Sequence, residues 1–132
     1  MYILTPGGYL VEVFYRGDRL TVLLMPGASV TFEEACARVP GNKDACPAQL
    51  LRLLKRLADF GTLHSCDQFR HEGDQIYAIK ARCGLRAYGW FDAYEGRTAF
   101  VISHYILKRR DKFASTDREA VLANRTTFKE RP

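Results

Sequence analysis

The alternation of apolar and polar positions is clearest in the second half of the chain. From Ile76 to Arg82, Tyr77, Ile79 and Ala81 fall on one side and Ala78, Lys80 and Arg82 on the other. This period of two predicts a strand. Leu85–Phe91 repeats it, with Leu85, Ala87, Gly89 and Phe91 opposite Arg86, Tyr88 and Trp90. Cys83-Gly84 between the two predicts a tight hairpin connection, and Asp92–Gly96 a second turn. Arg97–Tyr105 carries the most apolar run, TAFVIS, which predicts a central strand covered on both faces for part of its length. Near the start, residues 9–15 (YLVEVFY) predict a strand. Leu20–Met25 follows the turn signal Arg16-Gly17-Asp18-Arg19, either as the second arm of a hairpin or as a loose extension.

Helical periods lie between and after these strands. Thr31-Phe32-Glu33-Glu34 has capping-box spacing and predicts a short helix to about Val39, broken by Pro40-Gly41-Asn42. A second helix is expected from Pro47, with a stripe of Leu50, Leu51, Leu54, Leu57 and Ala58, ending at Gly61. Arg52, Lys55, Arg56 and Asp59 lie off the stripe as a solvated face. Residues 62–75 read as a polar loop anchored by Phe69. The last helix is expected from a Ser115 or Thr116 N-cap to about Glu130, burying Ala120, Leu122 or Val121, and Phe128. The order predicts a single α+β domain over residues 1–132, a small antiparallel sheet with two helices before the three main strands and one C-terminal helix. Its helices would pack on one side and leave the other face open.

Composition changes this picture mainly through charge. With 132 residues, 47% hydrophobic and 27% charged, the chain fits one soluble domain able to bury its own core. The formal charge is +5, but residues 1–46 carry −1, residues 47–75 are neutral, and residues 76–132 carry +6. Charge serving only solubility would be spread more evenly. No apolar run approaches the ~20 residues of a membrane helix. The N-terminal MYILTPGGYLVEV has neither a basic start nor an unbroken apolar core, so a cytoplasmic protein without membrane contact is expected. Cys36, Cys46, Cys66 and Cys83 form no C-x-x-C pair and have no histidine at ligand spacing. They are expected to be buried free thiols, with no metal and no cofactor.

The cationic excess concentrates in Tyr77–Phe113: Lys80, Arg82, Arg86 and Arg97 on strands, then His104, Lys108, Arg109, Arg110 and Lys112 at the strand exit. Such a surface is suited to a polyanion. RNA can be cut without a metal because its own 2′-OH attacks the adjacent phosphate. The protein then needs groups to move two protons and cations to stabilise charge on phosphorus. Lys80, Arg82, Arg86 and His104 offer those types on adjacent strands, whereas no carboxylate pair with two-metal spacing accompanies them. The same cations also suit a binding module that only holds phosphates, with Tyr88 or Trp90 stacking on bases. Taken singly, each has a plainer role: His104 as a hydrogen-bonded structural histidine, Tyr88 and Trp90 as packing residues, and His64 and His71 as loop polar groups.

Ile79-Lys80-Ala81-Arg82, Gly84-Leu85-Arg86, and Phe100-Val101-Ile102-Ser103 followed by a Lys-Arg pair together resemble the core of RelE-type toxins. The spacing of His104 to Lys108-Arg109 and Lys112, and the Glu119-Ala120 helix ending near Arg125, are similar to the phage-derived HigB-like branch. The resemblance covers residues 47–128. It implies the toxin of a type II toxin–antitoxin pair, a metal-independent endonuclease that cuts mRNA on the ribosome. Its silencing partner would be an antitoxin, typically a helix-turn-helix protein encoded beside it. It implies catalytic roles for Lys80, Arg82, Arg86, His104 and Arg109, with Lys80 the candidate base. Taken with the charge cluster, the expected RNA contacts are Lys80, Arg82, Arg86, Tyr88, Lys108, Arg109, Arg110 and Lys112. Two features depart from the pattern: Phe113 stands near the position of a family tyrosine, and Ile106-Leu107 lengthen the strand exit. The same superfamily includes gyrase-poisoning toxins, which stay open as an alternative.

Overall fold

The computed structural model describes residues 1–41, 45–65, 67–108 and 113–130. Its strands are β1 (Tyr2–Leu4), β2 (Leu10–Arg16), β3 (Thr21–Leu24), β4 (Phe69–His71), β5 (Tyr77–Lys80), β6 (Leu85–Tyr94) and β7 (Arg97–Leu107). They form one sheet in the order β1-β2-β3-β7-β6-β5-β4. The helices are α1 (Ala28–Ala37), α2 (Ala45–Phe60) and α3 (Ser115–Lys129). The class is α+β, as expected, but the sheet is larger than a three-strand core. β1 and β4 were not anticipated, because three-residue strands are too short for a period of two to register. The sheet is also mixed: β3 pairs with β7 in parallel, and the other neighbours are antiparallel.

The apolar run of β7 does what its composition predicts. Phe100, Val101 and Ile102 are fully buried at the centre of the sheet. Covering both faces requires helices on both sides, which corrects the expectation of one open face. On one side α1 and α2 bring Ala35, Leu50, Leu54 and Leu57 onto Val22, Ile79, Leu85, Ala87, Phe100 and Ile102. On the other, α3 lays Val121 and Phe128 over Val11, Leu23, Ala78, Tyr88, Trp90 and Val101. Trp90 meets Phe128 edge-on at 5.9 Å and donates its indole N–H to Asp92 at 3.0 Å, so it is a packing residue.

Local signals need three further corrections. Thr31 caps nothing: α1 starts at Ala28 after Gly27 turns left-handed (φ 87°), and the Thr31 hydroxyl instead accepts the Tyr105 N–H at 3.0 Å. Ser115 and Thr116 do not cap α3, whose N-cap is the extended Ala114. Asp59, part-exposed, does more than face solvent: it accepts the Tyr15 hydroxyl at 3.0 Å and the Asp18 N–H at 3.2 Å, holding the β2–β3 turn. Pro47 falls within the first turn of α2, Gly61 follows its end at φ 79°, and Phe69 packs on Tyr77 and Phe91 as an anchor should.

If α3 is a true cover rather than an appendage, Phe128→Ala should cost about 3–5 kcal/mol. Exposed Val30→Ala in α1 should change stability by no more than about 0.5 kcal/mol. Urea unfolding of the two variants checks the difference.

Candidate functional site

The β5–β6 hairpin delivers the first two cations. Lys80 and Arg86 are a directly opposed cross-strand pair, and both point to the α3 side of the sheet. No residue of α3 lines this corner. There a cavity of about 630 Å³ is lined by Lys80, Arg82, Arg86 and Lys108, together with Ser65, Asp67, Gln68, Ala81, Cys83 and Gly84. Lys80 is 8% exposed and Arg86 2% exposed, so these two are walls of a pocket and not the open surface first expected. Arg82 lies in the turn and is exposed, its N–H held by Gln49 at 2.9 Å.

The turn geometry fixes where Arg86 can go. Ala81 N–H bonds the Leu85 carbonyl at 2.8 Å, Gly84 N–H bonds that of Ala81 at 3.1 Å, and Gly84 is left-handed at φ 97°. A side chain there would collide with the Lys108 carbonyl, so glycine is required. The Gly84 carbonyl accepts the Lys108 N–H at 3.1 Å and the Arg86 Nε–H at 3.3 Å, while Arg86 Nη2 donates to the Lys108 carbonyl at 3.4 Å. Arg86 is thereby braced from below, which orients its guanidinium before any ligand arrives.

His104 takes a different place. β7 is irregular opposite Tyr88 and Gly89, where Tyr88 pairs with His104 but Gly89 pairs with Ile102. Ser103 is the extra residue, and both Ser103 and His104 turn toward α3. His104 Nε2 lies 2.9 Å from Asp117 Oδ1, and its Nδ1 lies 2.9 Å from Ser103 Oγ, which also accepts from Asn124 Nδ2 at 2.8 Å. Asp117, buried in the first turn of α3, takes the Lys108 ammonium on its other oxygen. Lys108 therefore belongs to both groups: it lines the pocket and closes the Asp117 network. His104 is not among the residues lining that pocket.

Other members of the expected set separate too. Tyr88 is fully buried, 4.6 Å from the Phe113 ring and 5.5 Å from that of His104, and offers no face on which a base could stack. Its hydroxyl is buried without a hydrogen-bond partner among the described residues. Arg97 sits at the far end of β7, donating to the Gly17 carbonyl at 3.0 Å. Arg109, Arg110 and Lys112 lie outside the described residues. The expectation of free thiols fails for Cys46 and Cys83, which are joined by a disulfide between α2 and the β5–β6 turn, whereas Cys36 is free and Cys66 lies outside the described residues. Asp117, Ser103, Asn124 and the Cys46–Cys83 link were missed as site features. Only Asp117 left a sequence signal, as an acid in the first turn of a helix.

Among the described residues, no group of three or more His, Cys, Asp or Glu is placed to hold a metal ion, and no helix is long and apolar enough to cross a membrane. No family model, curated protein or solved structure matches the chain.

Removing the shared carboxylate should be costly, because buried Asp117 joins α3 to both His104 and Lys108. Asp117→Ala is expected to lose about 1.5–3 kcal/mol in urea unfolding, the scale of one charge-assisted hydrogen bond. A separate expectation concerns alkaline pH. Burial pushes the Tyr88 hydroxyl up, with the Arg86 charge drawing it partly back, and burial pushes Tyr105 up further. The unfolded chain therefore loses these protons first, so stability should be full below about pH 10 and fall as pH rises past it. Unfolding between about pH 8 and about pH 11 should show that fall, reduced in Tyr105→Phe.

Proposed function

We propose that this chain is an RNA-cleaving toxin of the RelE/HigB kind, acting on mRNA in the ribosome and silenced by a partner antitoxin. The observation that carries the reading is the convergence of Lys80, Arg82, Arg86 and Lys108 on one pocket. Two of these cations are held largely out of water, where a phosphate is gripped more strongly than on an open surface. A phosphodiester seated there would direct its non-bridging oxygens at Arg86 and Arg82. Attack of the 2′-oxygen on phosphorus then breaks the P–O5′ bond, leaving a cyclic phosphate and a 5′-hydroxyl. Lys80 is the pocket residue to which the resemblance gives the 2′-OH proton. An acidic or amphipathic antitoxin segment would compete for the same cations.

A second reading is favoured by the position of His104, whose ring nitrogens face Ser103 and Asp117 outside the pocket. With Phe113 in place of a tyrosine, few groups remain to move protons, and the pocket would then hold nucleic acid without cutting it.

Because Arg86 is buried and braced by carbonyls, Arg82→Ala is the variant least coupled to folding. It should cut RNA cleavage by about 10- to 100-fold, the loss of a charge-assisted hydrogen bond of about 1.5–3 kcal/mol. Lys80→Met should abolish growth inhibition on induction. Primer extension on a reporter message reads cleavage directly. Intact message under a toxic wild type sinks the nuclease, altered DNA supercoiling under those conditions points to gyrase, and RNA binding without toxicity leaves the binding module.

A further inference from the structure

We propose that Cys83 is a thiol-exchange site inside the cationic pocket, and that opening and closing its bond to Cys46 switches the pocket's hold on phosphate. The switch rests on the phosphate reading above; the exchange chemistry does not. Cys46, 8% exposed, lies in the first turn of α2, and its Cα is 6.1 Å from that of Cys83 in the β5–β6 turn. Cys83 is the more exposed of the two sulfur-bearing residues and lines the pocket with Lys80, Arg82, Arg86 and Lys108. Its Sγ also accepts the Leu85 N–H at 3.4 Å. Cations lining the same pocket and an amide directed at the sulfur favour its anionic form, which is the reactive species in thiol exchange.

The exchange balances with small-molecule thiols as reductant. A thiolate attacks Cys83 Sγ, the bond to Cys46 breaks, and Cys46 leaves as a thiolate that takes a proton. A second thiol attacks the mixed disulfide, forming the small-molecule disulfide and freeing Cys83, so two electrons pass to the protein. Small-molecule disulfide reverses both steps.

Two consequences for the pocket have the same sign. Reduction places a negative sulfur among the phosphate-binding cations. It also unties the 81–84 turn from α2, leaving the Gln49–Arg82 hydrogen bond as a tie, and Gly84 in that turn braces Arg86. Both weaken anion binding.

The test uses the full chain. After reduction with dithiothreitol and its removal, iodoacetamide labelling is followed by peptide mass spectrometry. Cys83 should react at least about tenfold faster than Cys36, a half-buried thiol that burial pushes up. Lys108→Met should slow Cys83 without changing Cys36. Equal rates for the two cysteines overturn the exchange site. Anisotropy of a short fluorescent single-stranded RNA should then show at least about fivefold weaker binding after reduction, regained on oxidation, with Cys46→Ser held in the weak state. Equal affinity of both forms overturns the switch. RNA that binds neither form overturns the phosphate reading and the switch with it, while the labelling rates still decide the exchange site.

Discussion

One buried carboxylate organises this molecule. Asp117 receives His104 on one oxygen and Lys108 on the other, both from the end of β7, and thereby pins the first turn of α3 to the sheet. It also lies where the helix dipole favours an anion. The consequence is architectural. With α3 anchored there, its apolar side covers Tyr88, Trp90 and Val101, and the neighbouring corner around Lys80 and Arg86 is left as a cavity. Had α3 begun further along β5, the same cations would have been sealed or displaced.

Much of the fold could be read because its strands obey simple alternation. Leu85, Ala87 and Phe91 do face α2, and Arg86, Tyr88 and Trp90 do face the other way. That pattern assigns a residue to a side of the sheet, but not to water or core. Tyr88 and Lys80 share a side, yet one is walled in by Phe113 and His104 while the other lines a cavity. The difference depends on where a helix some thirty residues later comes to lie, which no local pattern encodes. His104 illustrates the second limit. The extra residue at Ser103 turns both side chains toward α3, and a bulge leaves no mark in hydrophobic periodicity. The pairing of Cys46 with Cys83 was hidden in the same way, since cysteine spacing alone does not reveal connectivity.

The charge excess of the C-terminal part also divides once side chains have partners. Arg118 donates to Asp74 at 2.6 Å and to the Glu72 carbonyl at 2.7 Å, and Arg125 donates to the Asp74 carbonyl at 2.7 Å. They clamp a β4–β5 turn in which Asp74 and Gln75 are both left-handed, an arrangement that needs outside support. Arg97 secures the Gly17 turn. These arginines are fasteners, and the charge a ligand would meet in the pocket is smaller than the regional sum of +6.

The parallel pairing of β3 with β7 carries a further consequence, for the order in which the protein is made. Thr21–Leu24 must wait for Ala99–Ile102 before its second edge is filled. During synthesis the β1–β3 meander therefore emerges with an apolar strand exposed, and the central sheet closes only after most of the chain has left the ribosome. Pairings this distant in sequence form slowly, because loop closure must precede any gain in contact. The pocket, whose Lys108 wall follows directly on β7, is complete only once β7 has paired with β6.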